Sequence, residues 1–529
     1  WEDTLAAECA VHPLILVLED VHWSDRASID FVDGALRHLA SSPLMVVALA
    51  RPEVEDVFPD LWKQRRVQAL RLGELTKRAC ETLAREVLGD AVSDKTIALI
   101  VERAGGNAFY LEELIRAAAE GGAELLPETV IAMLQARLEG LPKEARSVLR
   151  AASVFGRTFW RGAVRSLIEP GDRSAAIGDA LAELCEREVI VASQESRFSG
   201  EEEFSFRQAL VREAAYAMLT ERDRKVGHRL AARWLDRAGE TNPIVMAEHH
   251  ERSGQAPLSI DWFKRAAEQA LAGNDLDAAV ARADRAIEHG ASGETLGELW
   301  LLKAEAHRWR GANGAAQTSG ERAMAELAPG SDAWCEAAGQ VAAASGKLGD
   351  VEALLRAVAQ LDGLSSDPSG SAAHRVARAR AAIPLLVAGQ YDRLAELLAP
   401  LAGDAVESAA GDPSAVAWLA RARSLRAWVD GDVADYLASS EISATSFLRA
   451  GDLRNACSPL IGIGIGGLEV GAFELAEDAL RETLTQADRM GLLHTASVAK
   501  HHLGLVRARL GDLDEARALL RDAIDASRS

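Results

Sequence analysis

Two neighbouring acids, Glu19 and Asp20, close the run His12-Pro13-Leu14-Ile15-Leu16-Val17-Leu18, and His22-Trp23-Ser24-Asp25 follows almost at once. Paired carboxylates offer hard oxygen ligands for Mg²⁺ and a group to orient water at a phosphoryl centre. An apolar run without polar alternation predicts a strand buried on both faces, as in a parallel sheet. The acids then stand at its carboxyl end, where open α/β sheets bind their ligands. A plainer reading stays open on these residues alone: the acids could cap the next helix. Two further candidates come later in the chain. Arg51 ends a second apolar run, Pro43 to Ala50, and Gly105-Gly106-Asn107 precedes the stretch Ala108 to Arg116. The plainer reading of the glycines is a helix C-cap, with Asn107 as the N-cap of an ordinary helix.

The elements that must position these residues follow from periodicity. Between the two apolar runs, Ser28 to Ala40 has helical spacing at Ile29, Phe31, Val32, Leu36 and Leu39. Val67 to Leu72 reads as a third strand. Strand–helix–strand in this order predicts βαβ units.

In that order the motifs resemble the ATPase region of bacterial signal-transduction ATPases with numerous domains. These are AAA-like regulators related to the maltose-regulon activators, found alone or behind Ser/Thr kinase or cyclase domains. The resemblance implies a Walker B element at Glu19 and Asp20, which would hold Mg²⁺ and orient water on ATP. It places Arg51 at the γ-phosphate, and Gly106 and Asn107 in a helical lid near the nucleotide. Glu19 stands where many relatives have Asp, and Ala108 where proline is usual. No G-x-x-x-x-G-K-[ST] phosphate loop occurs in the 529 residues. The chain therefore reads as a fragment whose phosphate loop lay upstream of Trp1. In the family's sheet the loop-bearing strand lies between the sensor strand and the last strand. Without it, residues before about Leu75 are expected to present bare strand edges and to be poorly stable.

The remaining chain sets the expected architecture. The fold class is mainly α: part of a P-loop α/β ATPase core at 1–75, a helical lid at 76–125, a winged-helix-like domain at 126–241 and tetratricopeptide-like repeats at 242–529. The lid rests on helices led by Thr76, with Leu83 and Val87 inward, and by Ile97, Leu99 and Val101. The new segment opens at Leu126-Pro127-Glu128, with helices over Val130 to Leu138 and Lys143 to Val154. A strand pair, Glu188–Val191 and Glu203–Phe206, suggests the wing. Ala175 to Arg187 is the candidate recognition stretch, but its acids argue against DNA contact and for internal coupling. Arg222, Arg224, Lys225 and Arg229 read as a solvated helix face. Glycines near 273, 311, 349, 389, 431, 471 and 511 recur about every forty residues, the mark of a helical repeat. Each glycine is expected to make the turn, and a following Asp to cap the second helix.

Composition bounds the function. Net charge is −21, which argues against a basic nucleic-acid surface. The five cysteines are scattered, with no C-x-x-C, so neither a disulfide framework nor a zinc site is supported. No stretch reads as a membrane span or signal peptide, so the expected location is the cytoplasm. Gly462-Ile463-Gly464-Ile465-Gly466-Gly467 matches G-x-G-x-x-G but follows no strand. His249-His250 and His501-His502 point to different helix faces and make no metal site alone. The expected function is an ATP-dependent signalling switch, with ATP and Mg²⁺ as cofactors. Its repeats would hold a protein or peptide ligand, with self-association open. A tetratricopeptide scaffold with a vestigial ATPase module is the alternative, and a transcription regulator a third reading.

Overall fold

Leu14–Leu18 (β1) and Leu44–Ala48 (β2) pair in parallel, Leu14 opposite Leu44 and Leu18 opposite Ala48. They are joined by the helix Arg26–His38 (α2), whose N-cap Asp25 accepts from the Ser28 amide at 2.7 Å. This computed structural model describes all residues except 60, 64, 66, 90–91, 120–133, 136–137, 169–173, 365–370, 400–411 and 529. The chain divides into two compact units, one of Trp1–Arg66 with Phe263–Ser529 and one of Val67–Trp262. It is mainly α-helical.

In the first unit, Ile29 and Val32 of α2 pack with Leu16, Leu18, Val46, Phe58 and Trp62. That covers one face of the two strands. The other face is open: Ile15, Val17 and Met45 are 62%, 55% and 58% exposed. The expectation of a strand buried on both faces is therefore corrected, because α2, Phe58 and Trp62 cover one face and, among the described residues, Ile15, Val17 and Met45 on the other stay exposed. Phe31 is likewise exposed, with its ring 6.3 Å from that of Trp1.

Among the described residues, seven helix pairs follow, from Ala256–Ala272, whose part from Phe263 belongs to this unit, with Leu276–Glu288 to Leu493–Leu510 with Leu513–Arg528. At Gly511 the chain takes φ 90°, and Asp512 accepts from the Glu515 amide. The left-handed turn needs glycine because a Cβ would strain it. The first turn differs from expectation: Asn274, at φ 63°, takes the left-handed position there instead of Gly273. Asn tolerates this conformation better than most residues. The G-x-G-x-x-G match lies inside the helix Leu453–Val470, where a Cβ on Gly464 would lie 2.5 Å from the Leu480 side chain. These glycines serve close helix packing.

In the second unit, Val67 to Leu72 forms no strand, correcting the expected third one. Val67, Leu70 and Leu72 are 50%, 78% and 94% exposed. A strand persists only where a partner takes its backbone groups, and no described strand pairs with it. Helices Lys77–Leu88 (α4), Asp94–Ala104 (α5) and Ala108–Ala119 (α6) pack through Cys80, Ala84, Leu88, Ile97, Ile100, Leu111 and Leu114. Leu83 and Val87 are exposed, not inward as expected. The 80–84–88 row already fills the contact, and 83–87 is the neighbouring row.

Next come helices Lys143–Ser153, Arg161–Leu167 and Ser174–Glu186 with three short antiparallel strands. Thr158–Trp160 (β3), Ile190–Ala192 (β4) and Glu203–Phe206 (β5) lie in the order β3-β5-β4. The sequence reading missed β3, although Thr-Phe-Trp carries high strand propensity. Ile177, Ala180, Leu181 and Leu184 of Ser174–Glu186 are buried in this core. Leu126-Pro127-Glu128 and most of Val130 to Leu138 lie outside the described residues. Among the described residues no helix is long and apolar enough to cross a membrane.

Candidate functional site

The parallel register sets the carboxyl ends of β1 and β2 side by side. The Leu49 amide donates to the Leu18 carbonyl at 2.8 Å, and the Val21 amide to the Leu49 carbonyl at 3.0 Å. Glu19, Asp20 and Arg51 are thereby brought to one end of the strand pair. Glu19 and Arg51 are exposed and Asp20 is half-buried. Asp20 has φ 54° and ψ 41°, a left-handed conformation uncommon outside glycine, Asn and Asp. It turns the chain from β1 into the short 3₁₀ turn Val21–Trp23.

Neither Glu19 nor Asp20 caps α2; Asp25 does that. His22 ties the two strand ends together. Its ring is buried, and Nδ1 accepts from the Arg51 amide at 3.3 Å. Its Nε2 is buried without a hydrogen-bond partner. The Arg51 guanidinium lies 5.6 Å from the ring centre of Trp23, which is 61% exposed. Two carboxylates follow one strand end, and a guanidinium beside an exposed indole follows its neighbour. The carboxylates can ligate a hard cation and the cation can meet an anion. Among the described residues no group of three or more His, Cys, Asp and Glu is placed to hold a metal by itself.

Gly106 and Asn107 belong to the second unit, and packing accounts for both. Gly105 and Gly106 have φ 53° and 81°. A Cβ on Gly106 would lie 2.7 Å from the Glu74 Cβ and 2.8 Å from the Leu75 carbonyl oxygen. The Leu75 amide donates to the Gly106 carbonyl at 2.8 Å. Asn107 Oδ1 accepts from the Tyr110 amide at 2.9 Å, capping α6. The glycine cap followed by an Asn-capped helix is what the structure holds at these residues.

A cavity of about 60 Å³ in the same unit is lined by Glu113, Arg116, Leu134, Arg207, Gln208 and others. It suits a few waters, not a nucleotide. A buried polar chain went unread in the sequence: Tyr216 Oη lies 2.9 Å from His228 Nε2, and His228 Nδ1 lies 3.0 Å from His249 Nδ1. Burial holds His228 down to about 4, helped by Arg252 and Arg224. It holds His249 down to about 3, helped by His228, Arg252 and His250. Both are neutral at neutral pH. The only advance signal was His228 in one helix and the His249-His250 pair in the next.

No family model matches the chain. An uncharacterized protein of Rhizobium meliloti (strain 1021) is 27% identical over 284 residues, which is 49% of this chain and 26% of that protein. The chain thus spans about a quarter of the length of this curated relative. Among solved structures, the chain is similar to a Signal Transduction ATPase with Numerous Domains protein with a tetratricopeptide repeat sensor, from Pyrococcus horikoshii. The TM-score is 0.52 at 13% identity, over 100% of this chain and 77% of that one. At that identity the likeness concerns the fold: a mainly helical chain with tetratricopeptide-like repeats.

Proposed function

We propose that the chain is part of an ATP-dependent regulatory switch, in which a nucleotide-responsive segment is coupled to a protein-binding repeat array. The observation that carries this reading is the convergence of Asp20, Glu19 and Arg51 at the carboxyl end of a parallel strand pair. Glu19 or Asp20 would ligate Mg²⁺ and orient water, and Arg51 would meet the γ-phosphate. Bound Mg²⁺-ATP would supply the charge and the hydrolysable bond. The two carboxylates and one guanidinium suit one side of such a ligand, whose phosphates a separate loop would have to cradle. The three-stranded and helical region of the second unit would act as an internal coupler, with a winged-helix-like role short of DNA binding. A Ser/Thr kinase in the same protein would place the switch in phosphorylation signalling.

Coupling has a physical route within the first unit. Helix α2 follows the paired acids directly, and its Arg37 lies 3.9 Å from Asp488 of the repeat helix Phe473–Arg489. A shift at the strand ends would reach the array through α2.

A scaffold with a vestigial ATPase module is the second reading. It is favoured by Gly106 and Asn107, which packing and capping explain in full. A titration with fluorescent ATP and Mg²⁺ separates the two. It would use this chain and a longer form from the same reading frame, each with and without Asp20→Asn. Binding that the substitution alters supports the switch. No binding in either form leaves the scaffold.

A further inference from the structure

We propose that the outer face of the helix Glu221–Ala238 docks an acidic α-helix of another protein, one with a carboxylate at every fourth position, through Arg222, Arg229, Arg233 and Arg237. This face belongs to the second unit, whereas the strand-end acids and all but the start of the repeat array belong to the first.

The helix is capped by Thr220, whose hydroxyl accepts from the Asp223 amide at 3.1 Å, and it ends at Gly239 with φ 85°. Its inner side is compact: Gly227, His228, Ala231, Ala232 and Leu235 are buried. Successive residues turn by about 100° around the axis, so the four arginines fall within about 80° of one another on the opposite side. All four are exposed. Val226, 36% exposed, lies among them. The row is about 22 Å long, and Arg229, Arg233 and Arg237 succeed each other at about 6 Å along the axis.

Exposure fits a solvated helix face, but the pairing of its charges does not. Such faces gain from opposite charges four residues apart and lose from like ones. The other charged groups of the helix's first turns are engaged. Lys225 meets Glu221 at 2.7 Å, and Asp223 lies 3.5 Å from Arg150. Arg224 donates to the Tyr216 carbonyl at 3.2 Å, with its guanidinium 4.7 Å from that ring's centre. Among the described residues, Arg222, Arg229, Arg233 and Arg237 make no ion pair and no side-chain hydrogen bond. Asp236 borders the row and pairs with none of them. Lys225, Arg229, Arg233 and Arg237 are instead like charges at successive four-residue steps. Arg222 stands in the first turn, where the helix dipole disfavours a cation. A row that repels itself is thus maintained in a chain whose net charge is −21.

An anion laid along the row removes that repulsion, and the surroundings select its shape. The row is one helix wide, with Glu221 and Asp236 on one flank and Asp223 on the other. A flat anionic membrane, or a duplex with a second strand beside the first, would also meet those acids and be repelled. A single narrow rod would not. An α-helix with acids at i, i+4 and i+8 repeats at the same spacing of about 6 Å as the arginines, so two helices side by side stay in step over several contacts. Guanidinium at all four positions suits this partner, because its planar fork pairs bidentately with a carboxylate. Val226 adds an apolar contact within the row.

The test is fluorescence anisotropy on the full chain at low ionic strength, with three labelled peptides held helical by a side-chain staple. One carries Glu at every fourth position among alanines. The second has Gln in place of Glu, and the third is a scramble whose Glu residues are spread around the helix. The first is expected to bind at least about tenfold tighter than either other, and Arg229→Gln with Arg233→Gln to weaken it about tenfold or more. Arg426→Gln is the control, since Arg426 is exposed and paired with Asp430. Absence of binding, equal binding of the scramble, or undiminished binding by the double variant would overturn the proposal. So would tighter binding of an oligonucleotide or of phosphatidylserine vesicles than of the Glu peptide. Melting of the free protein guards against a folding defect. The double variant is expected to melt no lower than the parent, because like-charge repulsion is removed. A fall of more than about two degrees would mean that these arginines are engaged within the fold, which also overturns the proposal. ATP binding measured on the same samples is a separate readout, so failure here and failure of the nucleotide switch are distinguishable.

Discussion

At the residue scale, Asp20 and Gly106 sit in backbone conformations that few side chains adopt, and the two differ in what they imply. Asp20 is half-buried at the strand ends and caps nothing with its carboxylate. Replacing it with Gly removes left-handed strain, so stability should hold or rise by up to about 1 kcal/mol, checked by thermal melting. A residue kept for packing would lose stability instead. Gly106→Ala combines φ 81° with a Cβ inside contact of Glu74 and Leu75. It should cost about 2 kcal/mol, read as a lower denaturation midpoint of the helices around it. The order of the motifs made it legible that Glu19, Asp20 and Arg51 follow neighbouring strand ends, because parallel pairing places successive strand ends together. The nearness of Arg308 and Arg454 was not legible: they are 146 positions apart and come to the same Trp309 ring only through helix-to-helix packing.

At the element scale, the helices Ala209–Ala217, Glu221–Ala238 and Pro243–Arg252 are stitched by Tyr216, His228 and His249. Both histidines are neutral in the fold, with values below the ordinary 6.5. The unfolded chain therefore binds more protons than the folded one as pH falls below 6.5. Stability is complete above that value and is lost as pH drops toward about 4. The second unit should lose on the order of a few kcal/mol across this window, seen as a falling melting temperature. His249→Phe should flatten the slope, and an unchanged slope would remove the histidine chain from the account. Helix periodicity and caps were readable here: Thr76 and Asn107 both cap helices. What failed was the face. Leu83 and Val87 look inward by type, yet the smaller Cys80, Ala84 and Leu88 row makes the contact, and pattern alone does not rank two adjacent rows. Strand type failed similarly, since Val67 to Leu72 has the composition of a strand but no described strand pairs with it.

At the scale of the whole molecule, the repeat array departs from a simple stack. Solenoids hold together through neighbouring repeats, so a local defect spreads only to adjacent units. Here the early and late pairs also touch. Asn274 Nδ2 donates to the Met490 carbonyl at 2.7 Å, and Arg454 to the Leu271 carbonyl at 2.5 Å. Trp309 packs against Ala487, Leu492 and Ala496. The periodic glycines announced the helix pairs but gave no sign of this return contact, because repeat spacing encodes neighbours and not curvature. Removing Trp309 strips apolar contact from both ends of the turn at once. Trp309→Ala should therefore raise amide exchange around Leu271–Asp275 and, more than 170 residues away, around Ala487–Ala496, while Asp332–Leu348 keeps most of its protection. The jump is the diagnostic. Exchange rising only in the flanking pairs would mean that the array behaves as a one-dimensional stack and that the return contact contributes little. Exchange rising at both ends would make the turn a cooperative unit whose opening is felt at Asp488, and so at Arg37 and α2, the helix that leaves the paired acids.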